Sequence, residues 1–201
     1  HAHKQVCKYV NDTPGCRLLF LSSVSVFDGL SSLPSYEDTR PTAVSEYGKF
    51  KVSVEKLLFE KIKNQVSILR LPMVLGAYSP RILQVRQAIK HKAVFDVYPN
   101  LIISVTTANT IAQQIHYIIN KELTGIFHLA SNDLVHHQDL FTEICEKISN
   151  KTPIFKSIYN SNDDQYLAIL PKHNILPTNY QTTVADVLEN STLEDLITLK
   201  N

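Results

Sequence analysis

Apolar residues fall in short runs along this chain, separated by polar, turn-rich stretches, and the spacing within each run predicts an element. Residues 17–27 read RLLFLSSVSVF. The unbroken apolar first half is the pattern of a strand buried on both faces of a parallel sheet. Residues 28–44 are rich in Ser, Pro, Asp and Thr and predict a long loop, of a length that often serves function. Ser45 is placed to cap a helix over 46–63, with Val54, Leu57, Leu58 and Ile62 on its inner face. Val66–Leu71 predicts a second buried strand, closed by Pro72. Strand, loop, helix and strand in that order give the alternation of an α/β fold with a parallel sheet.

On either side of this unit the signals are shorter. Residues 1–12 read as the last turns of a helix, stopped by Asn11-Asp12-Thr13-Pro14-Gly15. After Gly76 a helix is predicted over about 80–91, with strands near 94–97 and 101–105. Thr107 or Asn109 begins a helix carrying Ile111, Ile115, Ile118 and Ile119, a stripe that reads as core. A strand over 126–129 and a helix over about 136–149 follow, the latter with Leu140, Ile144 and Ile148 at fours and Cys145 among them as a core residue. Residues 160–178 are polar, and Thr192-Leu193-Glu194-Asp195 looks like the capping signal of a last short helix.

Composition narrows the function classes. Twenty Lys and Arg against nineteen Asp and Glu leave a formal charge of +1, which argues against nucleic acid or an anionic membrane surface as partner. No apolar run is long enough to cross a bilayer. Three cysteines, Cys7, Cys16 and Cys145, include no CxxC pair, so a reducing, cytoplasmic setting is expected. His1, His3, His136 and His137 have no Cys, Asp or Glu at a known ligand spacing, and no metal site is expected. Lys90, His91 and Lys92 read as a solvated helix end. Five scattered glycines form neither GxGxxG nor a Walker A loop. With the His1 start, this suggests a piece of a longer protein, inactive and weak in cofactor binding by itself.

Three short patterns carry candidate chemistry. Tyr47 and Lys51 lie four apart on the predicted helix, hence on one face. An ammonium beside a phenol favours the phenolate and fits the tyrosine for general acid–base work. Ser22-Ser23 closes the first strand, at the carboxyl edge where open α/β sheets bind ligands. A hydroxyl there can donate to a carbonyl oxygen that gains charge. Leu69-Arg70-Leu71-Pro72-Met73-Val74-Leu75-Gly76 puts a proline, and so an extended backbone, at the end of the second strand.

Ser-Ser, YxxxK and LRxPxxxG in this order resemble the extended short-chain dehydrogenase/reductase superfamily, of NAD-dependent epimerase/dehydratase type. Phe27-Asp28-Gly29 and Gly125-Ile126-Phe127-His128-Leu129-Ala130 look like segments of its dTDP-4-dehydrorhamnose reductase branch, and Ala168 to Leu176 weakly echoes another. The resemblance spans the chain in order but only the carboxyl-terminal two-thirds of such an enzyme. It implies the remainder of a Rossmann-like, doubly wound sheet over 1–76 and a smaller, mainly substrate-binding α/β region over 77–201. The implied activity is NAD- or NADP-dependent reduction of a keto group on a nucleotide-linked sugar. An epimerase or dehydratase and a non-catalytic regulatory relative are the alternatives, and a homodimer is possible for such a fold.

Residue by residue, the resemblance assigns the carbonyl-polarising hydroxyl to Ser23, the proton donor to Tyr47 and the ribose-binding lysine to Lys51. Ser22, Tyr47, Lys51, Leu71 and Pro72 are implied at the cofactor, and Ser23, Ser25 and Met73 at the substrate. The branch usually reads STDYVFDG, and here Val24 and Ser25 replace its Asp and Tyr. Leu170-Pro171 replaces a late Arg-Pro, and Asn109-Thr110 stands where many relatives carry an Asp pair. These changes spare the hydride chemistry and put a rhamnose substrate in doubt.

Overall fold

The computed structural model describes residues 2–149, 151–172 and 176–192. The first unit has helix α1 (Ala2–Asp12), strand β1 (Leu18–Ser23), helix α2 (Glu46–Ile62) and strand β2 (Val66–Leu71). Then come β3 (Met73–Leu75), α3 (Pro80–His91), β4 (Val94–Val97), β5 (Leu101–Ile103), β6 (Val105–Thr107) and α4 (Ala108–Asn120). The rest is β7 (Gly125–His128), β8 (Val135–His136), α5 (His137–Ser149), β9 (Ile154–Ser157), β10 (Gln165–Leu167) and α6 (Val184–Thr192).

The first sheet is parallel, in the order β1-β2-β7. Its side chains alternate across the pleat. Ile68 packs with Cys7, Val10, Val54, Leu58 and Ile62 of α1 and α2. Its neighbour Leu69 faces the other way, onto Ile111 and Ile118 of α4. The sheet is therefore wound on both faces, as expected. β7 returns from the second half of the chain to complete it.

β1 departs from the expectation of full burial. Leu18, Leu19 and Phe20 are half-buried and Leu21 is 47% exposed. Among the described residues β1 is the outer strand of this sheet and pairs with β2 alone. The strand expected over 101–105 is two strands: β5 pairs with β10 and β8, whereas β6 pairs with β3. The chain changes sheets at Ser104, whose buried hydroxyl accepts the Ile169 amide at 3.1 Å. A third core gathers α3, α5 and α6 around β4 to β6. In it the Phe95 and Phe141 rings lie 5.0 Å apart under the Arg81 guanidinium.

The long loop over 28–44 reaches the chain around β10. Ser31 bridges Tyr166 and Ser35 bridges Ile169. The final helix expected beyond Thr192 lies outside the described residues, and Thr192 itself ends α6. Among the described residues no helix is long and apolar enough to cross a membrane.

Candidate functional site

β1 delivers Ser22 and Ser23 to the carboxyl edge of the sheet, where Ser23 stands beside Leu71 of β2. The chain then tightens into a single 3₁₀ turn over 24–27 with Ser23 as its cap. The Ser23 hydroxyl oxygen accepts the Ser25 amide at 3.1 Å and donates to Ser25 Oγ at 3.1 Å. The two hydroxyls expected at the substrate are thus paired with each other.

The helix bearing Tyr47 starts where it does because Asp28 holds its cap. One Asp28 oxygen accepts the Val44 and Ser45 amides at 2.6 and 3.3 Å, and the other accepts the Ser45 hydroxyl. Ser45 Oγ in turn accepts the Gly48 amide at 3.0 Å, which satisfies a first-turn donor. Burial alone would raise the Asp28 carboxyl. The hydrogen bonds from Ser45 and Val44, with the Lys49 charge, outweigh it and hold the carboxyl below its ordinary value of 3.8. The folded chain thus binds this proton less readily than the unfolded chain. The stabilisation is present above the ordinary value and is lost as pH falls through the folded one. Asp28→Asn should therefore flatten the acid limb of stability below about pH 4 and lower stability at neutral pH by about 1–3 kcal/mol. Urea titrations at pH 3, 4 and 7 measure both, and parallel curves for the two proteins would refute the clamp.

Gly48 is buried against the same turn. A Cβ there would run into the Ser25 carbonyl oxygen and lie 3.0 Å from both Ala43 Cβ and Asp28 Oδ2. Only glycine lets the first turn of α2 lie this close to the end of β1.

Tyr47 is 55% exposed. Lys51 Nζ donates to the Leu21 carbonyl at 2.8 Å, 4.8 Å from the Phe20 ring centroid and 5.6 Å from that of Tyr47. The ammonium is thereby fixed to the backbone of β1 and held near the phenol. Lys51, with Tyr47 beside it, thus lies against β1 at Leu21, two residues before Ser23. Pro72 is buried just past β2, and Leu71 is half-buried against the α4 core. Met73 is half-buried in β3, paired with Val105 and packed on the third core.

Ser22, expected at the cofactor, has its hydroxyl turned inward. It is 4% exposed and donates to Glu55 Oε1 at 2.5 Å. Glu55 also receives Arg70: Nε at 3.1 and 3.3 Å, and Nη2 at 2.7 Å. Arg70 Nη1 lies 3.3 Å from His128 Nε2, and the guanidinium stacks 5.0 Å from the Phe27 ring centroid. Burial, then the Arg70 charge, lower His128 from 6.5 to about 3. The ring is therefore neutral, with Nε2 accepting from Arg70 and Nδ1–H donating to the Leu170 carbonyl at 3.0 Å. Glu37 completes the cluster. Its two carboxylate oxygens accept the amides of His128 and Lys172 at 3.1 and 2.8 Å.

This polar centre was not identified from the sequence, although two signals point to it. Arg70 is a charge inside a buried strand, which requires a partner. Glu55 lies eight residues after Tyr47, on the same helical face. His136, by contrast, pairs at the surface with Asp164 at 3.4 Å.

A family model described as RmlD substrate binding domain matches residues 2–191. Among solved structures, dTDP-4-dehydrorhamnose reductase from Yersinia enterocolitica superposes with a TM-score of 0.80 at 21% identity, over 94% of this chain and 70% of that one. The Bacillus anthracis str. Ames dTDP-4-dehydrorhamnose reductase, in complex with NADP, gives 0.77 at 20% identity, over 94% and 69%. UDP-glucuronic acid 4-epimerase from Bacillus cereus, in complex with NAD, gives 0.75 at 17% identity, over 94% and 64%. No curated protein matches this chain in sequence. At these identities the likeness establishes a shared α/β fold.

Proposed function

We propose that this chain, which belongs to the RmlD substrate binding domain family, works in an NAD(P)-dependent oxidoreductase that reduces a keto group on a nucleotide-linked sugar, with Tyr47 as proton donor. The observation that carries this reading is the Lys51 ammonium, tied to the Leu21 carbonyl and set beside Tyr47 where β1 delivers Ser23. The similar solved structures of a reductase in complex with NADP and an epimerase in complex with NAD support it.

The residues present fit the nicotinamide-ribose end of such a cofactor. Lys51 spends one of its three ammonium protons on Leu21, which leaves donors for a ribose hydroxyl. Pro72 and Leu71 supply an apolar wall at the same edge. The Ser22 hydroxyl is committed to Glu55 and supports the site from behind. Bound in its reduced form, NAD(P)H would supply the hydride to the keto carbon and leave as NAD(P)⁺. In the proposed step, Ser23 Oγ turns its proton from Ser25 to the substrate carbonyl oxygen, and the Tyr47 phenol protonates that oxygen as its charge grows. Residues 1–76 then serve the cofactor side and 77–201 mainly the substrate side, with β7 and α4 returning to the first sheet.

Turnover decides between this reading and a non-catalytic regulatory relative. The intact protein is incubated with NADH or NADPH and a panel of nucleotide-linked keto sugars while cofactor fluorescence is followed. Cofactor binding without turnover on any sugar overturns the enzyme reading. Interconversion of sugar epimers without net cofactor consumption assigns the epimerase alternative. Lys51→Met should weaken NAD(P) binding about tenfold or more through loss of a charge-assisted hydrogen bond. Lys56→Met, on the exposed side of α2, should change it less than about twofold. Equal effects in the fluorescence titration would make Lys51 an ordinary surface lysine.

A further inference from the structure

The half of α2 that carries Tyr47 and Lys51 has little apolar footing. The buried residues of this helix are Gly48, Val54, Glu55, Leu58 and Ile62, so its hydrophobic stripe begins only after Lys51. Apolar packing is non-directional, so the register of this end rests on directional contacts: the Asp28–Ser45 cap, the Lys51 bond to Leu21 and, one turn further on, Glu55. Glu55 lies one helical turn beyond Lys51 and two beyond Tyr47, about 6 and 12 Å along the axis. Its carboxylate meets Ser22, the residue before Ser23, and Arg70, two residues before Pro72. Each segment of the proposed site is therefore linked through this one side chain.

We propose that Glu55 is a positioning residue, whose bonds to Ser22 and Arg70 fix the register of the Tyr47–Lys51 helix against the ends of β1 and β2. This rests on the oxidoreductase reading above. A buried ion pair is a poor means of gaining stability, because loss of hydration offsets most of the attraction. What it adds is direction. The Arg70 fork grips both Glu55 oxygens, and the guanidinium is itself located by Phe27, His128 and the Glu37 carbonyl at 3.4 Å. The groups that the pair meets include the Ser22 hydroxyl, the neutral His128 ring and the Glu37 backbone carbonyl.

The test separates positioning from folding. The double variant Glu55→Met/Arg70→Met removes the directional bonds and leaves no unpaired buried charge, although the Ser22 hydroxyl and His128 Nε2 lose their partners, so its Tm should fall by roughly 5–10 °C with the fold retained. Its kcat should fall at least about tenfold while the Kd for NAD(P) changes less than about threefold, because a misplaced proton donor acts on the transition state. In isotope-labelled intact protein, the amide signals of Ser23 and Lys51 should move or broaden. Arg70→Lys keeps the charge and loses the fork, so it keeps the fold safer and should show the same pattern with a smaller loss, about threefold or more in kcat. Parental turnover with unmoved Ser23 and Lys51 signals in either folded variant would overturn the proposal. If the parent turns over no nucleotide-linked sugar, the oxidoreductase reading fails, and the amide signals still decide whether Glu55 sets the register.

Discussion

Tyr47→Phe in the intact protein should cut turnover by about 10²-fold or more, the usual contribution of a positioned acid or base. The change keeps the ring and deletes one hydroxyl. Tyr47 is 55% exposed, so the fold loses nothing in packing and Tm should stay within about 2 °C of the parent. Lys51 keeps its bond to Leu21, which does not involve the phenol, so NAD(P) should bind within about twofold of the parent affinity. Steady-state assays with a cofactor titration check the split. A Tyr47→Phe variant with near-normal kcat would remove Tyr47 from the reaction and, with it, the central assignment.

Gly48→Ala should be the most damaging single-methyl change at the site. The added carbon meets the Ser25 carbonyl oxygen, which is backbone and cannot rotate away, with Ala43 and Asp28 close on either side. Either the first turn of α2 lifts off or the turn after Ser23 shifts. Overpacking of this kind costs about 1–3 kcal/mol, readable as a lower urea midpoint. The larger effect is on activity. A displacement of about 1 Å between Ser23 and Tyr47 should lower kcat by roughly 10²-fold. Gly76→Ala is the control, since nothing lies within 4 Å of a Cβ at that position. Comparable losses at both glycines would mean that the close approach at Gly48 is unimportant.

The fold was legible where a segment carries its own period. β2 and α3 occupy the predicted residues, and Ser45 and Thr107 cap the helices expected after them. β3, β8 and β10 were not legible, because strands of two or three residues show no alternation, and their pairing depends on partners far along the chain. α6 had a readable signal that went unused. Thr183 and Asp186 form a reciprocal capping box, with the Thr183 amide on Asp186 at 2.8 Å and the Asp186 amide on Thr183 at 3.2 Å. The inner face of α2 was read from its apolar residues, which placed Leu57 inward and passed over Glu55. In the structure Leu57 is only half-buried and Glu55 is buried. A pattern of hydrophobic positions has no symbol for a charge that is inside because its partner is inside.

Glu37 has a consequence for the order in which the molecule assembles. Its carboxylate holds amides 91 and 135 residues further along the chain. Closing loops of that length costs entropy that local contacts do not return, and such contacts slow folding. β1, α2 and β2 can associate over short sequence distances, carrying Ser23, Tyr47 and Lys51 with them. The Glu37 carboxylate can find its partners only once β7 and the segment around Lys172 have docked. Until then the Arg70–Glu55 pair is open to water on the side that His128 later covers. A chain halted at that stage would already hold its chemical groups on a capped helix, with the buried ion pair still exposed to water along one side.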